Sequence, residues 1–573
     1  MKLKKLAIKL LTIIAVVCIN AYSLSAAPLT TDAYWKKLLH FEGAHSRVTA
    51  DEFFLSINGK NNATAELIET IRLLDSKDGF EIACNFPARY RWIRSTKKGV
   101  ADFDLNRCVE LQNFLKSFQK ETLSIVFVSE FIDVPASAFG HIMLVFKNSN
   151  SPLPLADTIH FAAVTEHEDF LKYAYRGLTG GYDGFFIRQP LFEKQYEYNI
   201  TEQRALHFYK LNFSEEEISR IIFHLYELRK ARFNYYFVDE NCAFYIGQLL
   251  DTAFENEDLG FQQSKIVLPI DVVRKYADRI VARSTFAPSL LKAENLIGNL
   301  SAQEQQKISD IIHQQDNPNN QLSDQVKETL ALHYQYTFRR QRVAYDNFQT
   351  VESLQYHPSS FTSNLTNPLD EKNSGRVLLG VHSSRNLTST IIGYRPMQRD
   401  IYAPQQNYLQ ESELSVFDIQ TVVNDQTFNL DQANLINLRS LPKRSVLRKD
   451  LSWNFYAGFN RKNTEQILRP EIEFGLGESI GSQNWTAGWG ISLGAQKNSG
   501  INAYLKPNLV LLTYLPVDIK VGYLTYAQHF KGEHYLQNEL FVSKKISSSY
   551  TTMKLINLGN NEVQFIANFS WAI

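Results

Sequence analysis

The carboxy-terminal part of the sequence alternates between apolar residues and small or polar residues with a period of two. The pattern recurs from Arg376 to Ile573. Because successive side chains of a β-strand point to opposite faces, it predicts a long series of strands. We count roughly twelve segments of about ten residues, which is the strand length and even strand number of bacterial outer-membrane barrels. The clearest segment alternates the apolar residues Trp485, Ala487, Trp489, Ile491, Leu493 and Ala495 with Thr486, Gly488, Gly490, Ser492, Gly494 and Gln496.

The alternative to a barrel is a soluble β-sandwich, whose strands also alternate. Strand length, aromatic residues on the presumed outward face and small residues on the presumed inward face favour the barrel. One feature weakens this argument, because outer-membrane strands commonly end in an aromatic residue and this chain ends in Ile573, with Trp571 before it. We predict an antiparallel β-barrel over residues 376–573. Many of the aromatic residues, which are 13% of the chain, then have a use as a membrane-facing girdle.

The amino terminus has the parts of a secretory signal peptide. Met1–Lys5 is basic, Leu6–Val17 is largely apolar, and small residues follow up to Ala27. We therefore predict that residues 1–27 direct export and are removed. No later stretch reaches the roughly 18 apolar residues of a membrane-spanning helix, so a membrane location would require the barrel.

The chain has four cysteines. Cys18 lies in the predicted signal peptide, and the residues before it are not the small ones that a lipoprotein signal needs. Three cysteines remain. In an oxidising compartment, an odd number leaves one cysteine that either forms an intermolecular bridge or stays outside a pair. Cys84 and Cys108 share one short segment and are the predicted disulfide. Cys242 is then left for another use.

Between the signal peptide and the barrel, the pattern suggests three further parts. Residues 28–120 mix short helical patterns with loops and form a predicted, mainly helical domain. Residues 121–350 combine short strands with helices, including one over 214–231 that begins with a capping box at Ser214. Residues 351–375 contain many Pro, Ser and Asn residues and are a predicted linker.

Two short motifs in the second of these parts carry groups suited to nucleophilic catalysis. Phe-Gly-His ends at His141 at the start of a predicted strand, and Asp-Glu-Asn-Cys ends at Cys242 at the start of a predicted helix. The amino terminus of a helix favours a thiolate over a thiol. A nearby imidazole can take the proton, a third polar group can fix its tautomer, and the N–H of Cys242 can stabilise an oxyanion. His160, on the next strand, is the candidate for the orienting group.

Each of these groups also has a structural interpretation. A cysteine among apolar residues is more often inert, and His141 or His160 could be strand histidines with ordinary partners. The Gly-rich stretch from Gly177 to Gly184 lacks the ending of a phosphate-binding loop and is interpreted as a flexible loop. No close spacing of ligands indicates a metal site, and no cofactor is expected. The 60 basic and 60 acidic residues argue against a nucleic-acid partner.

Several stretches of the chain are similar to a known family. The segments SAFGHIMLVF, HFAAV, YRGLTGGYDGFF, LRKARFNYYFVDENCAFYIGQLLD and APSLL resemble the Lnb N-terminal periplasmic domain family over about residues 122–345. The resemblance implies an α+β, permuted papain-like fold related to NlpC-type peptidases and lecithin retinol acyltransferase. It also implies that His141 is the general base and Cys242 the nucleophile. The position of His160 is usually Asn in the family. The segment CNFPARYRWI around Cys84 resembles the domain that often precedes this one, and a carboxy-terminal barrel is a familiar partner.

Founding members of that family are lipoprotein N-acyltransferases. The resemblance therefore implies a Cys-His acyltransferase that takes an acyl group from a phospholipid donor and passes it to an amine, for which a lipoprotein N-terminus is the candidate. We expect Phe139, Tyr236 and Asn241 to contact the substrate, and we expect the barrel to lie in the outer membrane of a Gram-negative bacterium, with the catalytic domain in the periplasm. The alternatives are a cell-wall peptidase or amidase of the NlpC type, and a non-enzymatic anchor. Aromatic residues around Cys242 favour an acyl chain, although they could equally be core residues.

Overall fold

A computed structural model provides the fold. It describes residues 31–96, 100–130, 139–163, 170–237, 239–257, 259–261, 267–313, 321–339, 355–357, 365, 367–370, 375–384, 387–404, 410–424, 427–461, 468–482, 484–497, 500–530, 533–547, 549–558 and 563–572. The predicted signal peptide and most of the predicted linker lie outside these residues. Within them, no helix is long and apolar enough to cross a lipid bilayer.

Thirteen α-helices lie in the described residues. They are α1 Thr31–Leu38, α2 Ala63–Leu74, α3 Gly79–Asn85, α4 Pro87–Thr96, α5 Val109–Ser117, α6 Phe170–Thr179, α7 Leu191–Gln195, α8 Glu215–Glu227, α9 Cys242–Asp251, α10 Pro269–Lys275, α11 Ser289–Gly298, α12 Ala302–Ile312 and α13 Asp324–Arg339. A π-helix, Tyr196–Thr201, directly follows α7.

The described strands number twenty-two. They are β1 Phe41–Glu42, β2 His45–Ser46, β3 Thr122–Val128, β4 His141–Lys147, β5 Asp157–Ala163, β6 Tyr182–Pro190, β7 Leu206–Leu211, β8 Phe233–Tyr235, β9 Ile280–Phe286, β10 Arg376–Ser384, β11 Leu387–Arg395, β12 Met397–Arg399, β13 Glu411–Val423, β14 Phe428–Leu441, β15 Ser452–Asn460, β16 Arg469–Gly481, β17 Trp485–Lys497, β18 Ile501–Leu515, β19 Ile519–Phe530, β20 Glu533–Ile546, β21 Ser549–Asn557 and β22 Val563–Ala572.

The chain forms two compact units, and it passes between them several times. The first unit contains the chain up to Glu121, together with Phe161–Ile187 and Phe213–Val267. The second contains Thr122–His160, Arg188–Asn212 and the chain from Leu268 onward.

The first unit is mainly helical. Cys84 and Cys108 form the predicted disulfide, with their Cα atoms 5.4 Å apart. Ser214 and Glu217 make the predicted capping box at the start of α8, so that helix begins where the sequence indicates. Strand β6 pairs with β8 in antiparallel fashion at its first three residues. The prediction of a mainly helical amino-terminal segment joined by this disulfide agrees with these elements.

Buried ionisable groups cross the core of the first unit. The guanidinium of Arg89 contacts the carboxylates of Glu66 and Glu227, and all three side chains are inaccessible to solvent. His224 then lies between Glu227 and His40, with 3.0 Å between the Nε2 atoms of the two histidines. Burying charge without a partner is expensive, so these pairings fix how α2, α4 and α8 pack.

The second unit contains part of a sheet. Strand β4 pairs with β3 on one side and with the first residues of β5 on the other, β3 pairs with β7, and β7 with β9, all antiparallel. The apolar side chains behind these strands form one core cluster that includes Val126, Met143, Leu191, Tyr198 and Phe208. This sheet holds the two histidines that the sequence singles out.

The second unit also contains a closed, twelve-stranded antiparallel barrel made from β10, β11 and β13–β22. Each strand pairs with the next along the chain, and the pairing of β10 with β22 joins the two ends of the series. The barrel predicted for residues 376–573 is confirmed, and the sandwich alternative is wrong because a sandwich leaves its two sheets unclosed. The short strand β12 pairs with β13 beside β11.

The two faces of the barrel differ as the alternation predicts. Outward-facing apolar side chains are exposed around it, among them Leu379, Phe474, Trp489, Leu540, Leu555 and Trp571. The interior encloses a cavity of about 740 Å³ lined mainly by charged and polar residues. Pairs such as Arg395 with Asp400 and Lys506 with Glu473 neutralise these interior charges.

Helices α11–α13 pack on one barrel turn, the turn between β14 and β15. Leu447 in this turn joins the apolar cluster of the three helices. Ser445 donates a hydrogen bond to Glu294 at 2.7 Å, and Tyr336 donates one to Asp450 at 3.1 Å. Since strand direction alternates around the barrel, this turn lies at the same end as the start of β10.

Candidate active site

Cys242 is the first residue of α9, as the sequence predicts, and its side chain is buried. The side-chain oxygen of Asn241 caps this helix by accepting hydrogen bonds from the N–H groups of Ala243 at 2.9 Å and Phe244 at 3.1 Å. The amide nitrogen of Asn241 donates to the carbonyl of Val267 at 3.1 Å. Asn241 therefore fixes the entry of the chain into α9 and places the thiol at the positive end of the helix. Because the cap occupies the N–H groups of residues 243 and 244, they are not available as oxyanion donors.

Glu240 organises the loop immediately before the nucleophile. Its carbonyl accepts from the N–H of Tyr236 at 3.1 Å, and its carboxylate accepts from the hydroxyl of Tyr245 at 3.0 Å. Arg47, from the amino-terminal segment, forms an ion pair with the same carboxylate. The Arg47 guanidinium also lies 4.4 Å from the centre of the Phe244 ring. Burial, followed by the nearby Glu240, holds the pKa of Tyr245 well above its usual value, so this hydroxyl stays a donor.

Aromatic rings pack against α9 in the first unit. The centre of the Tyr245 ring lies 4.2 Å from that of Phe161 and 4.6 Å from that of Phe233. Phe161 also contacts Phe186 and Tyr235. These rings form an apolar cluster around Tyr245, which is three residues after Cys242 in α9.

The Gly-rich stretch is ordered structure, so its interpretation as a flexible loop is wrong. Gly177 lies in α6, Gly184 lies in β6, and Gly180 makes the turn between them with a φ of +74°. A Cβ atom on Gly180 would lie 2.2 Å from Cζ of Tyr236. Gly180 is thus needed because the half-buried Tyr236 ring packs directly on the backbone.

His141 is the first residue of β4, and its ring centre lies 6.2 Å from that of His160 and 5.7 Å from that of Tyr198. Burial is the main cause that lowers the pKa of both histidines, in the case of His160 to about 3. Both are therefore neutral at neutral pH, the form in which an imidazole can accept a proton. The Nε2 atom of His141 and the Nδ1 atom of His160 are buried, and neither has a hydrogen-bond partner among the described residues.

The residues just before His141 explain the Phe-Gly-His motif. Gly140 has a φ of +88°, and a Cβ there would lie 2.7 Å from the Phe127 ring and 2.8 Å from the carbonyl of Val128. Only glycine fits this position, which sets the direction in which the chain enters β4 at His141. Phe139, in the turn before it, is half-buried.

The structure thus brings the predicted site residues together in two groups. Asn241, Cys242 and Tyr236 lie in the first unit, and His141 and His160 lie in the second. The transfer of a proton from Cys242 to His141, the orienting role of His160 and the substrate contacts of Phe139, Tyr236 and Asn241 stay predictions. Among the described residues, no group of three or more His, Cys, Asp or Glu side chains is arranged to hold a metal ion.

Sequence reasoning missed three features of these groups. Arg47 is far from Cys242 in the sequence and has no motif of its own. Lys194 and Arg204, which flank the π-helix beside His141, were also missed, since a π-helix has no simple residue pattern. A signal was present only for Arg47, because the amino-terminal segment that contains it resembles a domain that often accompanies this one.

Comparison with known proteins assigns the central segment. Residues 110–279 match the Lnb N-terminal periplasmic domain. The resemblance found in the sequence is confirmed over this segment. Residues 27–96 match a domain of unknown function (DUF7843), and residues 365–541 match another (DUF7840). No curated protein matches the chain. An Lnb periplasmic domain joined to an outer-membrane-type barrel indicates a protein of the Gram-negative cell envelope.

Solved structures similar to the chain include outer-membrane proteins of Vibrio cholerae. A loop L8 deletion mutant of OmpT has 9% sequence identity and a TM-score of 0.20, and the match covers 34% of this chain and 97% of that one. The in-vitro folded trimer form of OmpT has 7% identity and a TM-score of 0.19, with the same coverage. Scores this low carry no argument about function.

Proposed function

We propose that this protein is a thiol acyltransferase of the outer membrane, which takes an acyl group from a phospholipid and transfers it to an amine. The observation that carries the proposal is the position of Cys242, at the Asn241-capped start of a helix whose Tyr245 packs among aromatic rings, inside the segment that matches the Lnb domain. A thiol at a helix amino terminus is favoured as thiolate, and an apolar surrounding suits an acyl chain.

In the first half-reaction, His141 accepts the proton of the Cys242 thiol as the sulfur attacks the ester carbonyl carbon of the phospholipid. The oxyanion that forms is stabilised by backbone N–H groups, for which the N–H of Cys242 is the candidate. The carbon–oxygen bond to the glycerol then breaks, and His141 returns its proton to the departing lysophospholipid oxygen. The product is an acyl thioester on Cys242.

In the second half-reaction, a neutral amine attacks the thioester carbonyl. His141 accepts a proton from the attacking nitrogen, the carbon–sulfur bond breaks, and the thiol of Cys242 is restored by that proton. The acceptor we propose is the amino terminus of a lipoprotein. If water attacked instead, the enzyme would be a hydrolase.

The barrel supports the membrane part of the proposal. Its exposed outward side chains are apolar over most strands, and large exposed apolar surfaces mark membrane or protein contacts. A catalytic domain on the periplasmic side would meet both phospholipids and lipoproteins at the bilayer surface.

The test is the intact mass of the purified full-length protein after incubation with phospholipid vesicles. We expect one added acyl mass that maps to Cys242 and is absent in Cys242→Ala. An added lipoprotein should remove the adduct and gain an amide-linked acyl group. Cleavage of muropeptides without an adduct would instead identify a cell-wall amidase. Identical behaviour of the wild type and Cys242→Ala in every assay would leave the barrel as a non-enzymatic anchor.

A further inference from the structure

A cationic cluster lies beside His141 in the second unit, around the ring of Tyr198. The Nζ atom of Lys194 is 5.3 Å from the centre of this ring, and the guanidinium carbon of Arg204 is 5.0 Å from it. The ring of His141 is 5.7 Å from the same centre. The ring centre of His160 lies 6.2 Å from that of His141. Two histidines and two cations therefore lie in one small region.

Both cationic side chains are more buried than those of surface ion pairs. Arg204 is 1% exposed and Lys194 is 7% exposed. Their carboxylate partners, Glu202 and Glu197, are more accessible, with side chains 23% and 44% exposed. The acidic groups thus extend toward solvent, whereas the basic groups remain inside the fold.

Among the described residues, Arg204 has one buried donor without an acceptor. Arg204 donates from Nε to the carbonyl of Ser129 at 2.6 Å and from Nη1 to Glu202 at 2.8 Å. Its Nη2 atom is buried and has no hydrogen-bond partner among the described residues. The same holds for Nε2 of His141 and Nδ1 of His160, each of which carries a proton in one tautomer. An oxygen atom of a bound ligand would supply the acceptor that Nη2 of Arg204 lacks.

We propose that Lys194 and Arg204 form a subsite for an oxyanion, and that this oxyanion is the phosphodiester of the phospholipid donor. Guanidinium and ammonium groups are the side chains that bind phosphate oxygens most strongly. In a glycerophospholipid the phosphate is only a few bonds from the acyl esters, so a phosphate held next to the general base keeps an ester carbonyl near the reacting groups. This inference rests on the proposed acyltransferase function, because it names the group by which the donor is recognised.

The π-helix accounts for how these residues meet. It begins directly after α7, which contains Lys194, and it ends shortly before Arg204. The wider turn changes the angular spacing of side chains, and such turns occur frequently at functional sites. Tyr198, buried within it, is the shared surface for both cations and for His141.

Binding of the phosphodiester also affects the base. Burial is the largest cause that lowers the pKa of His141, and the positive charges of Arg204 and Lys194 lower it further. A bound anion would offset those two charges and make His141 a stronger base. Donor binding and base strength are then coupled, which favours reaction of a phospholipid over a neutral ester.

The experiment compares two acyl donors with the full-length protein. One is short-chain phosphatidylglycerol, and the other is a diacylglycerol with the same acyl chains and no phosphate. The variants are Lys194→Met, which keeps the apolar stem over Tyr198, and Lys194→Arg, which keeps the charge. Lys230→Met, which removes an exposed cation elsewhere, is the matched control.

We expect Lys194→Met to raise KM for phosphatidylglycerol about tenfold or more, the effect of losing a charge-assisted hydrogen bond, while diacylglycerol changes little. Lys194→Arg should restore the phospholipid KM. Arg204→Lys should show the same selective loss. Equal effects of Lys194→Met on the two donors, or no effect on either, would overturn the subsite.

Inorganic phosphate separates the two sources of an oxyanion. We expect it to compete with phosphatidylglycerol in the wild type and to lose this effect in Lys194→Met. If Lys194→Met lost only the inhibition and kept the phospholipid KM, the subsite would bind free phosphate and the assignment to the donor would be wrong.

Binding without chemistry distinguishes failure of the subsite from failure of the proposed function. Cys242→Ala protein should bind short-chain phosphatidylglycerol by calorimetry, and Cys242→Ala combined with Lys194→Met should bind it about tenfold more weakly or worse. Equal affinity in the two proteins would refute the subsite whatever the outcome of the acylation assay. Normal, Lys194-dependent binding together with no thioester in the wild type would refute the transferase and retain the subsite.

Discussion

Glu240 places a negative charge two residues before the proposed nucleophile, and Arg47, which also pairs with Glu42, offsets it. A carboxylate so close in the sequence, if it had no counter-charge, would disfavour a thiolate on Cys242. The contact of Arg47 with the Phe244 ring holds the guanidinium in place, and the hydroxyl of Tyr245 holds the carboxylate from another side. Arg47 is therefore a positioning residue that acts on the thiol through Glu240.

Replacing Arg47 by Met tests this role. We expect the pH midpoint for alkylation of Cys242 by iodoacetamide to rise by roughly half to one unit, because the charge of Glu240 is no longer offset. The double variant with Glu240→Gln should return the midpoint to near its original value, since the charge is then absent. A merely structural role for Arg47 predicts slower alkylation at all pH values with no shift of the midpoint, and no rescue by Glu240→Gln.

At the scale of elements, some features follow from local pattern and others do not. The period of two predicts the barrel strands, and the Ser214 capping box predicts the start of α8, because both are set by neighbours in the sequence. The position of Cys242 at the start of α9 follows likewise from the Asn241 cap. The contact of Arg47 with Glu240 and the clustering of Lys194, Arg204 and His141 depend on packing between distant segments, so the sequence pattern does not contain them.

Two histidines at the contact of α8 with the chain after α1 make the first unit sensitive to acid. His40 and His224 are both inaccessible to solvent. Burial lowers the pKa of His40 to about 4 and holds the pKa of His224 well below its usual value. At these two residues the unfolded chain, in which a histidine titrates near pH 6.5, then binds more protons than the folded one. Their contribution to stability is therefore complete above about pH 6.5 and decreases as the pH falls toward 4, whereas Glu227, whose pKa burial raises to about 7, contributes in the opposite direction.

The variant His40→Gln tests this dependence. We expect His40 to lower the free energy of unfolding of the wild type by up to about 1.4 kcal/mol per pH unit as the pH falls from 6.5 to 4. His40→Gln should reduce the slope by that contribution, although it also lowers stability at pH 7. Pulse proteolysis in urea, with cleavage followed within residues 31–96, measures the free energy at each pH. An unchanged slope in His40→Gln would mean that protonation of His40 is not linked to unfolding.

At the scale of the whole molecule, the strand that begins with His141 belongs to the same compact unit as the barrel. Two contacts within that unit join the sheet that contains this strand to the carboxy-terminal part of the chain. Arg399 in β12 pairs with Glu130, just after β3, at 3.3 Å, and Tyr209 in β7 donates a hydrogen bond to Asn367 at 2.7 Å. The packing of α11–α13 on the β14–β15 turn adds an apolar contact. A barrel in a membrane would therefore keep the proposed base close to the lipid surface.

The last prediction concerns the outward face of the barrel. Trp485, Trp489 and Trp571 are 43%, 42% and 63% exposed on it, whereas Trp35 and Trp92 are buried in the first unit. In vesicles of brominated phospholipid, we expect strong quenching of tryptophan fluorescence, because bromine quenches rings that contact the acyl region. Most of this quenching should disappear when these three tryptophans and Trp453 in β15, the fourth barrel tryptophan, are changed to Phe. The matched control Trp35→Phe should leave the quenched component unchanged. Quenching that does not depend on the four barrel tryptophans would show that this face does not contact lipid. The exposed apolar surface would then no longer support a membrane location.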